Sequence, residues 1–336
     1  MFDRSPRIGL DIGAMGIRIV RVKKKKTAWQ LISHGSIKLR TEAVEYGGNF
    51  NSEIAGKELG ALVRDLNLKG KPVVAALSNQ HVYIRNLIMP RMNFNEMKEA
   101  VHYQAMSFLP IPVEEAAIDI FPWRNFEDGE GRKTELLFLA VRRQEVENIR
   151  LICRLAGLKL IAVDIEPLAI NRVLDRMPNS IDALIKLSSN KSCMTIFKLG
   201  IPVFNRFLLF NTPDPNLDSF IYSEFEDQET KKNDKRRDSQ HDCLQRAFIS
   251  EVKRSVEYYE MQDHLGAEGI ERFFLYGESS TIEGINKKLE KELGREVSVA
   301  SFAPQLIFPP GIDYERQIQI KYEYTVALGL AVRAAL

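Results

Sequence analysis

The sequence predicts an α/β fold in which one structural plan is used twice. Residues 8–37 have the pattern of a short apolar strand, a tight turn and two further antiparallel strands. Residues 183–207 repeat this plan with little identity of sequence. Elsewhere, segments with helical spacing of apolar residues alternate with short apolar runs, which is the pattern of sheets covered by helices. We therefore expect two similar halves, each built on a sheet that begins with a hairpin.

The composition is that of a globular protein with the length of about two domains. The chain has 336 residues, 45% of them hydrophobic, and its 47 basic and 45 acidic side chains leave a formal charge of +2. A chain this close to neutral has no general electrostatic reason to coat nucleic acid or an anionic membrane, although a local patch can still do either. We expect no nucleic-acid partner.

The cysteines and the apolar runs limit where the protein works. Cys153, Cys193 and Cys243 are far apart, odd in number and without the spacing of a zinc site, so neither a metal nor a disulfide framework is predicted. The N-terminus lacks the apolar core of a signal peptide, and no apolar run reaches the roughly 20 residues that span a bilayer. We expect a cytoplasmic protein with no transmembrane segment.

The first half of the chain predicts a sheet interrupted by a smaller unit. Its expected elements are strands at 8–12, 17–22, 29–32 and 72–77 and a helix at 56–68. A second set consists of strands at 82–90, 117–122 and 135–142 and helices at 95–109 and 144–156. Asn93 or Asn95 is the expected N-cap of the first of these helices, and Pro110 ends it. Residues 84–162 are therefore expected to form a compact insert.

The second half predicts a return to the first sheet and then a second sheet. Its expected elements are a strand at 161–164, a helix at 166–176, strands at 183–187, 194–197 and 201–207, a helix at 243–264, a strand at 273–276, a helix at 282–293, a strand at 297–299 and a helix at 322–336. Residues 211–242 carry a dense run of mixed charge, which predicts a solvated, mobile loop.

The turn of the first hairpin has the residue types of a phosphate site. Asp11 ends a strand and Gly13 begins the turn, so the turn offers backbone N–H groups to a phosphate and a carboxylate to a metal-bound water. Such turns are also common in hairpins for conformational reasons alone. The second hairpin favours the phosphate interpretation, because two facing hairpin units clamp the nucleotide in ATPases of the actin and sugar-kinase type.

The chain resembles the PilM family of type IV pilus assembly proteins, which are actin-like relatives of the cell-division protein FtsA. The similar stretches occur in the family's order over most of the chain. They are GLDIG (9–13), LIMP (87–90), the helix at 95–107 with FLPIPVEE (108–115), LFLAVRR (137–143), AGL (156–158), VDIEPLA (163–169), PVFNR (202–206) and ALGLAVR (327–333). The segment 87–169 is specific to this family among actin-like proteins.

The resemblance implies the two-lobed, actin-like ATPase fold shared with Hsp70 and sugar kinases, with an inserted subdomain called 1C. It places subdomain 1A at 1–83 and 164–182 together with a C-terminal helix at 322–336, and 1C at 84–163. Subdomain 2A, with part of 2B, is expected at 183–210 and 243–321. The charged loop at 211–242 is then a reduced or altered 2B.

The resemblance also implies partners. Family members bind ATP between the lobes and hold the N-terminal cytoplasmic peptide of the inner-membrane protein PilN in a groove between 1A and 1C. Through PilN they join PilO and the motor ATPases, and type II secretion systems use a similar part. The protein is thus expected to be peripheral at the inner membrane, and self-association stays open. We expect the groove along 82–90 and 135–143 as edge strands, with contacts from Leu87, Ile88, Met89, Leu137, Phe138 and Leu139.

The expected nucleotide site departs from the family pattern. Its residues are Asp11, Gly13, Ala14, Met15, Gly16, Arg18, Lys186, Ser188, Ser189, Gly277 and Glu278. Ala14 and Met15 remove the hydroxyls of the first loop, and Arg18 replaces a lysine. In the second loop Lys186 replaces the acid that organises magnesium, and Glu278 replaces the second glycine of a G-G turn. Asp11 is the one catalytic candidate if the protein is active.

Two interpretations of this site remain open. Either Lys186 attracts the phosphates directly and replaces magnesium charge, or the pocket is vestigial. The first hypothesis is a scaffold of pilus or secretion assembly that binds a PilN-like peptide, with ATP binding weakened or lost. The alternatives are an active actin-like ATPase or kinase, and an FtsA-like cell-division tether.

Two charged groups also have two interpretations each. Asp164 and Glu166 either present carboxylates to the cleft or start a helix, and Pro167 favours the helix start. Lys23–Lys26 is either a solvated hairpin tip or a contact for acidic lipid headgroups.

Overall fold

The computed structural model divides the chain into two compact units. The first consists of Met1–Asp175 and Ser301–Leu336, and the second of Arg176–Ala300. The residues that the structure describes are 7–13, 16–40, 43, 50–78, 82–175, 177, 179–187, 192–208, 235–262, 269–277 and 284–333. Ala14, Met15, Ser188, Ser189 and Glu278 of the expected nucleotide site lie outside them.

Strands and helices alternate along the chain as the sequence predicts. The strands are β1 (Arg7–Gly13), β2 (Gly16–Lys25), β3 (Ala28–Ile37), β4 (Pro72–Leu77), β5 (Val82–Pro90), β6 (Ala116–Asp128), β7 (Gly131–Arg142), β8 (Lys159–Ile165), β9 (Ile181–Lys186), β10 (Ser192–Lys198), β11 (Ile201–Leu208), β12 (Arg272–Tyr276), β13 (Glu296–Val299) and β14 (Leu306–Ile307). The helices are α1 (Ser52–Asp65), α2 (Phe94–Ala105), α3 (Arg143–Leu155), α4 (Glu166–Asn171), α5 (Lys235–Gln262), α6 (Ile285–Leu293), α7 (Tyr314–Glu323) and α8 (Thr325–Ala331).

The first unit is built on a six-stranded sheet in the order β14-β3-β2-β1-β4-β8. Strands β1, β2 and β3 form the predicted antiparallel hairpins, and β4 and β8 continue the sheet parallel to β1. Leu10 and Ile19 are fully buried in this sheet, and helices α1 and α3 pack on the face to which they belong. The parallel strands β1, β4 and β8 therefore end at the same edge of the sheet.

A three-stranded antiparallel sheet in the order β5-β7-β6 forms the insert, and α2 packs on one of its faces. Helix α2 starts with a capping box, in which Asn93 accepts from the Glu96 N–H and the Glu96 side chain accepts from the Asn93 N–H. This confirms Asn93 as the N-cap. Its buried face, which includes Met97 and Val101, meets Phe138 in the middle of the sheet.

The second unit repeats the strand order of the first. Its sheet is β11-β10-β9-β12-β13, with an antiparallel meander of β9, β10 and β11 and with β12 and β13 parallel to β9. The order matches β3-β2-β1-β4-β8 strand for strand, so the predicted repeat and the α/β class are confirmed. Val252 of α5 and Leu289 of α6 are buried in its core.

Three boundaries of the predicted subdomains are wrong. Residues 301–321 belong to the first unit, because β14 pairs with β3, whereas the sequence assigned them to the second lobe. Residues 176–182 belong to the second unit, because β9 begins at Ile181. Residues 159–163 are part of β8 in the six-stranded sheet and not of the insert.

Two predicted elements also differ in extent. Helix α5 begins at Lys235, so residues 235–242 are helical and the predicted charged loop does not reach 242. The predicted helix at 322–336 is two helices, α7 and α8, which meet at Tyr324. In the part of the chain that the structure describes, no helix is both long enough and apolar enough to cross a membrane.

Helix α8 lies against β1 at backbone contact distance. A Cβ atom at Gly9 of β1 would overlap the carbonyl oxygen of Ala327 and lie 2.8 Å from the Ala331 nitrogen. A Cβ atom at Gly329 of α8 would overlap the carbonyl oxygen of Ala169 in α4. Glycine is required at both positions because no side chain fits between these backbones.

We expect Gly9→Ala to destabilise the first unit by about 3 kcal/mol, because the added methyl group forces α8 away from β1. The matched control is Gly129→Ala in the turn between β6 and β7, where a Cβ atom has no neighbour within 4 Å. This control should change the free energy of unfolding by less than about 0.5 kcal/mol. Both tryptophans, Trp29 and Trp123, lie in the first unit, so urea unfolding followed by tryptophan fluorescence measures the effect. Equal midpoints for the two variants would contradict the close approach.

Candidate functional site

The first candidate phosphate loop joins β1 to β2 in the first unit. Asp11 and Arg18 stand directly opposite each other in the two strands, and Asp11 Oδ2 lies 3.9 Å from Arg18 Nη1. The Asp11 carboxylate is largely buried, whereas the guanidinium is about a third exposed. Gly13 pairs with Gly16, which has φ of +151° and no room for a Cβ atom beside the Ile37 carbonyl. The loop therefore carries one carboxylate that is already balanced by a cation.

The second candidate loop follows β9 in the second unit. Lys186 is the last residue of β9 and pairs with Cys193 of β10 and Tyr276 of β12. Gly277 follows Tyr276 with φ of +100°, and a Cβ atom there would overlap the carbonyl oxygen of Leu187. Only glycine adopts this conformation readily at such a close approach. The carboxyl ends of β9 and β12 thus bring Lys186 and Gly277 side by side.

Each candidate loop is flanked by one cationic side chain of a kind that binds phosphate. The described residues offer the guanidinium of Arg18 and the ammonium of Lys186, both of which bind phosphate oxygens. In the described parts of the chain, no group of three or more His, Cys, Asp or Glu side chains lies close enough together to hold a metal ion. Asp11, Gly13, Gly16 and Arg18 belong to the first unit, and Lys186 and Gly277 to the second.

Asp164 takes part in a structural ion-pair network. Its Oδ2 atom lies 2.9 Å from Arg172 Nη2 and 3.7 Å from Arg333 Nε, and its Oδ1 accepts from the Ile165 N–H at 2.8 Å. Arg172 also donates to the Gly329 carbonyl in α8. Glu166 is buried as the first residue of α4, with Pro167 next. These contacts favour the structural interpretation of both carboxylates.

The prediction that 135–143 is an edge strand is wrong. β7 is the central strand of its sheet and is paired with β5 on one side and β6 on the other. Strand order depends on long-range pairing, which the local pattern does not contain. As a result, the side chains of five of the six expected groove residues are not fully exposed to solvent. Leu87, Met89, Leu137 and Phe138 are buried, and Leu139 is half-buried.

An exposed apolar surface nevertheless lies on the three-stranded sheet, on the face away from α2. Ile88 of β5 is 55% exposed and Phe121 of β6 is 56% exposed. Leu137 of β7 pairs with Phe121 and with Asn86, whereas Ile88 pairs with Glu135, which lies on the same face. Residues on the same face nearer the start of β5, such as Ile84, pack into the main core. We call the surface formed by Ile88, Leu137 and Phe121 the apolar face; sequence reasoning named two of its members and missed Phe121.

A buried donor lies next to the apolar face. Trp123 sits at an irregularity in the pairing of β6 with β7, and its Nε1 atom is buried with no hydrogen-bond acceptor among the described residues. β6 is an edge strand of its sheet. A buried N–H is normally hydrogen-bonded to a protein group or to ordered water, so this donor is available to an acceptor that reaches it.

Comparisons with known proteins agree with this architecture. The family model described as type IV pilus assembly protein PilM matches residues 9–335. A chain of a solved PilM–PilN type IV pilus biogenesis complex is 24% identical, with 98% of this chain and 99% of that chain covered and a TM-score of 0.79. The ethanolamine utilization protein EutJ from Carboxydothermus hydrogenoformans is 14% identical, with coverages of 98% and 89% and a TM-score of 0.47. The fold is actin-like.

We expect Asp164→Asn to destabilise the first unit by about 2 kcal/mol, because Arg172 and Arg333 lose their buried carboxylate while the amide keeps one acceptor. The control is Asp65→Asn at the exposed end of α1, which should be nearly neutral. Urea unfolding followed by tryptophan fluorescence measures both variants. An Asp164→Asn protein with unchanged stability but altered nucleotide binding would contradict the structural role.

Proposed function

Because the chain belongs to the family of type IV pilus assembly protein PilM, we propose that it is a scaffold that holds the N-terminal cytoplasmic segment of a PilN-like inner-membrane protein. The observation that carries the proposal is the family match over residues 9–335. The likeness of the fold to a chain of a PilM–PilN complex supports the choice of partner. The protein then works on the cytoplasmic side of the inner membrane, where PilO and the motor ATPases complete a pilus machine or a related secretion machine.

The partner segment lies on the apolar face in this proposal. We assign β5, α2, β6 and β7 to subdomain 1C and the six-stranded sheet to 1A. The apolar face then lies on the 1C sheet, next to the residues of that sheet that pack into the core of 1A. Ile88 and Phe121 supply exposed apolar area, and Leu137 supplies a buried floor beside Phe121. The unpaired outer edge of β6 offers backbone groups to an added strand. A carbonyl of that strand would accept from the Trp123 N–H.

In this proposal the nucleotide site binds ATP weakly and does not turn it over efficiently. Phosphoryl transfer in this fold requires a metal and an oriented water. Asp11 is already paired with Arg18, and Lys186 replaces an acid at the second loop. A lysine near a triphosphate contributes up to about 4 kcal/mol at an effective dielectric constant of about 20, which supports binding without a metal. The role of this chain in the assembly is then to hold partners.

We expect a synthetic peptide with the N-terminal cytoplasmic sequence of the PilN-like protein to bind the purified chain in isothermal titration calorimetry. Ile88→Ser and Phe121→Ser should each weaken binding about tenfold or more, since each removes an apolar contact at the centre of the interface. The matched control is Tyr103→Ser, which removes a 71% exposed aromatic side chain from α2 on the other side of the insert. A peptide that does not bind, or that binds all three variants like the wild type, would sink the assigned site.

We expect ATP to bind with similar affinity with and without Mg²⁺, and Lys186→Asp to weaken that binding at least tenfold, because it reverses a charge next to the phosphates. Lys287→Asp on α6, an exposed lysine of the same unit, serves as the control and should bind ATP like the wild type. Calorimetry measures binding, and phosphate release measures turnover. Mg²⁺-dependent turnover that Asp11→Ala abolishes would instead establish an active ATPase.

A further inference from the structure

One end of the six-stranded sheet gathers basic residues from distant parts of the sequence. β1, β4 and β8 are parallel, so they all begin at this end, and β2 runs antiparallel to β1 and turns into β3 there. The register places Pro72 beside Lys159 and Lys25 beside Ala28. We call this surface the basic end; it is formed by residues 23–27, 64–72 and 154–159.

The basic end has a large excess of positive charge. Its three segments contain nine Lys or Arg residues and one acidic residue, Asp65. A second carboxylate, Asp175, follows α4 towards the same end of the sheet. Among the described residues, no ion pair is formed by any of the nine, all of which are exposed except the half-buried Lys23. These residues are Lys23, Lys24, Lys25, Lys26, Arg64, Lys69, Lys71, Arg154 and Lys159.

The hairpin tip keeps a lysine where the backbone favours glycine or asparagine. Lys26 lies in the two-residue turn between β2 and β3 with φ of +50°, in the left-handed region. This conformation belongs to the tight hairpin turn, and it leaves the Lys26 side chain exposed to solvent. Lys24, two residues earlier, makes a cation–π contact, in which its Nζ atom lies 4.6 Å from the centre of the Trp29 ring.

Apolar side chains lie exposed among these charges. Leu155, next to Arg154 at the end of α3, is 46% exposed, and Ile161, two residues after Lys159 on the edge strand β8, is 62% exposed. Aliphatic groups among lysines suit the boundary between lipid headgroups and acyl chains. There the aliphatic groups are stabilised by burial and the lysines by attraction to anionic headgroups. Binding to nucleic-acid phosphates would use the lysines but would gain nothing from these aliphatic side chains.

The basic end is separate from the candidate phosphate loop. Arg7 and Gly13 are the first and last residues of β1, and six steps at about 3.3 Å place them about 20 Å apart. Asp11 and Gly13 therefore lie towards the opposite end of the sheet from Lys25 and Lys71. A ligand of the basic end would therefore bind at a different place from a nucleotide at the candidate phosphate loop.

We propose that the basic end binds the anionic headgroups of a lipid bilayer, with Ile161 and Leu155 reaching into the headgroup region. The strand ends and the hairpin tip present the charges at one end of the six-stranded sheet. Such an arrangement fits the surface of a bilayer, because its negative charge is spread over many headgroups. The proposal goes beyond the peptide scaffold function and does not depend on it, because lipid and peptide contact different residues.

Sedimentation with vesicles tests the proposal on the full chain. Vesicles of equal parts phosphatidylglycerol and phosphatidylcholine should bind the protein at low salt, and vesicles of phosphatidylcholine alone should not. Two double variants, Lys25→Glu with Lys26→Glu and Lys69→Glu with Lys71→Glu, should each lose at least about twentyfold in partitioning, since each lysine near a charged membrane contributes about fivefold. Ile161→Ser should reduce binding without changing its dependence on salt.

The control carries the same charge change on exposed residues of the other unit. Lys287→Glu with Lys291→Glu on α6 should bind the vesicles like the wild type. Absence of wild-type binding, or an equal loss in the control, overturns the proposal. So does tighter binding of duplex DNA than of vesicles at the same salt when the same lysine variants abolish it. Unchanged urea unfolding followed by tryptophan fluorescence shows that the variants are folded, so the result does not depend on whether the partner peptide binds.

Discussion

The close approach of α8 to β1 is the contact on which the first unit depends. Gly9 lets α8 lie directly on β1, and Gly329 lets it lie directly on α4. A helix late in the sequence therefore packs on the first strand of the sheet. Arg172 and Arg7 then donate to the Gly329 and Arg333 carbonyls at the end of this helix, where the helix itself leaves them without partners. β1 is thereby fixed, with Asp11 near one end and Arg7 at the other.

The sequence predicted correctly those elements that are determined by neighbouring residues in the chain. Both hairpins follow from alternation and turn residues, and the Asn93 cap follows from a capping box. Long-range pairing was not predictable in the same way. β14 has two residues and becomes a strand only because β3 lies beside it, and β7 reads like an edge strand although β5 and β6 flank it. Phe121 was missed because its exposure depends on that strand order.

The candidate nucleotide site shows the same limit. The sequence placed Asp11, Arg18, Lys186 and Gly277 at the ends of strands, and the register and the φ of Gly277 agree with those places. The direct pairing of Asp11 with Arg18 follows from the register of β1 with β2, which a motif does not contain. In the proposed function, the nearby guanidinium disfavours a metal-bound water at the Asp11 carboxylate because it already offsets part of the negative charge.

The separation of charge along the six-stranded sheet gives the scaffold a physical logic. A net charge of +2 keeps most of the surface from binding polyanions, while the basic end concentrates cations in one place. In the proposed function, a peptide on the apolar face would tether the chain to a membrane protein, and tethering would raise the effective concentration of the basic end at the bilayer. Two modest contacts then act as one stronger attachment, as single lipid anchors do when a polybasic patch assists them. Each of the two proposed contacts would also form alone, and together they would hold the chain at the membrane more tightly than either one does.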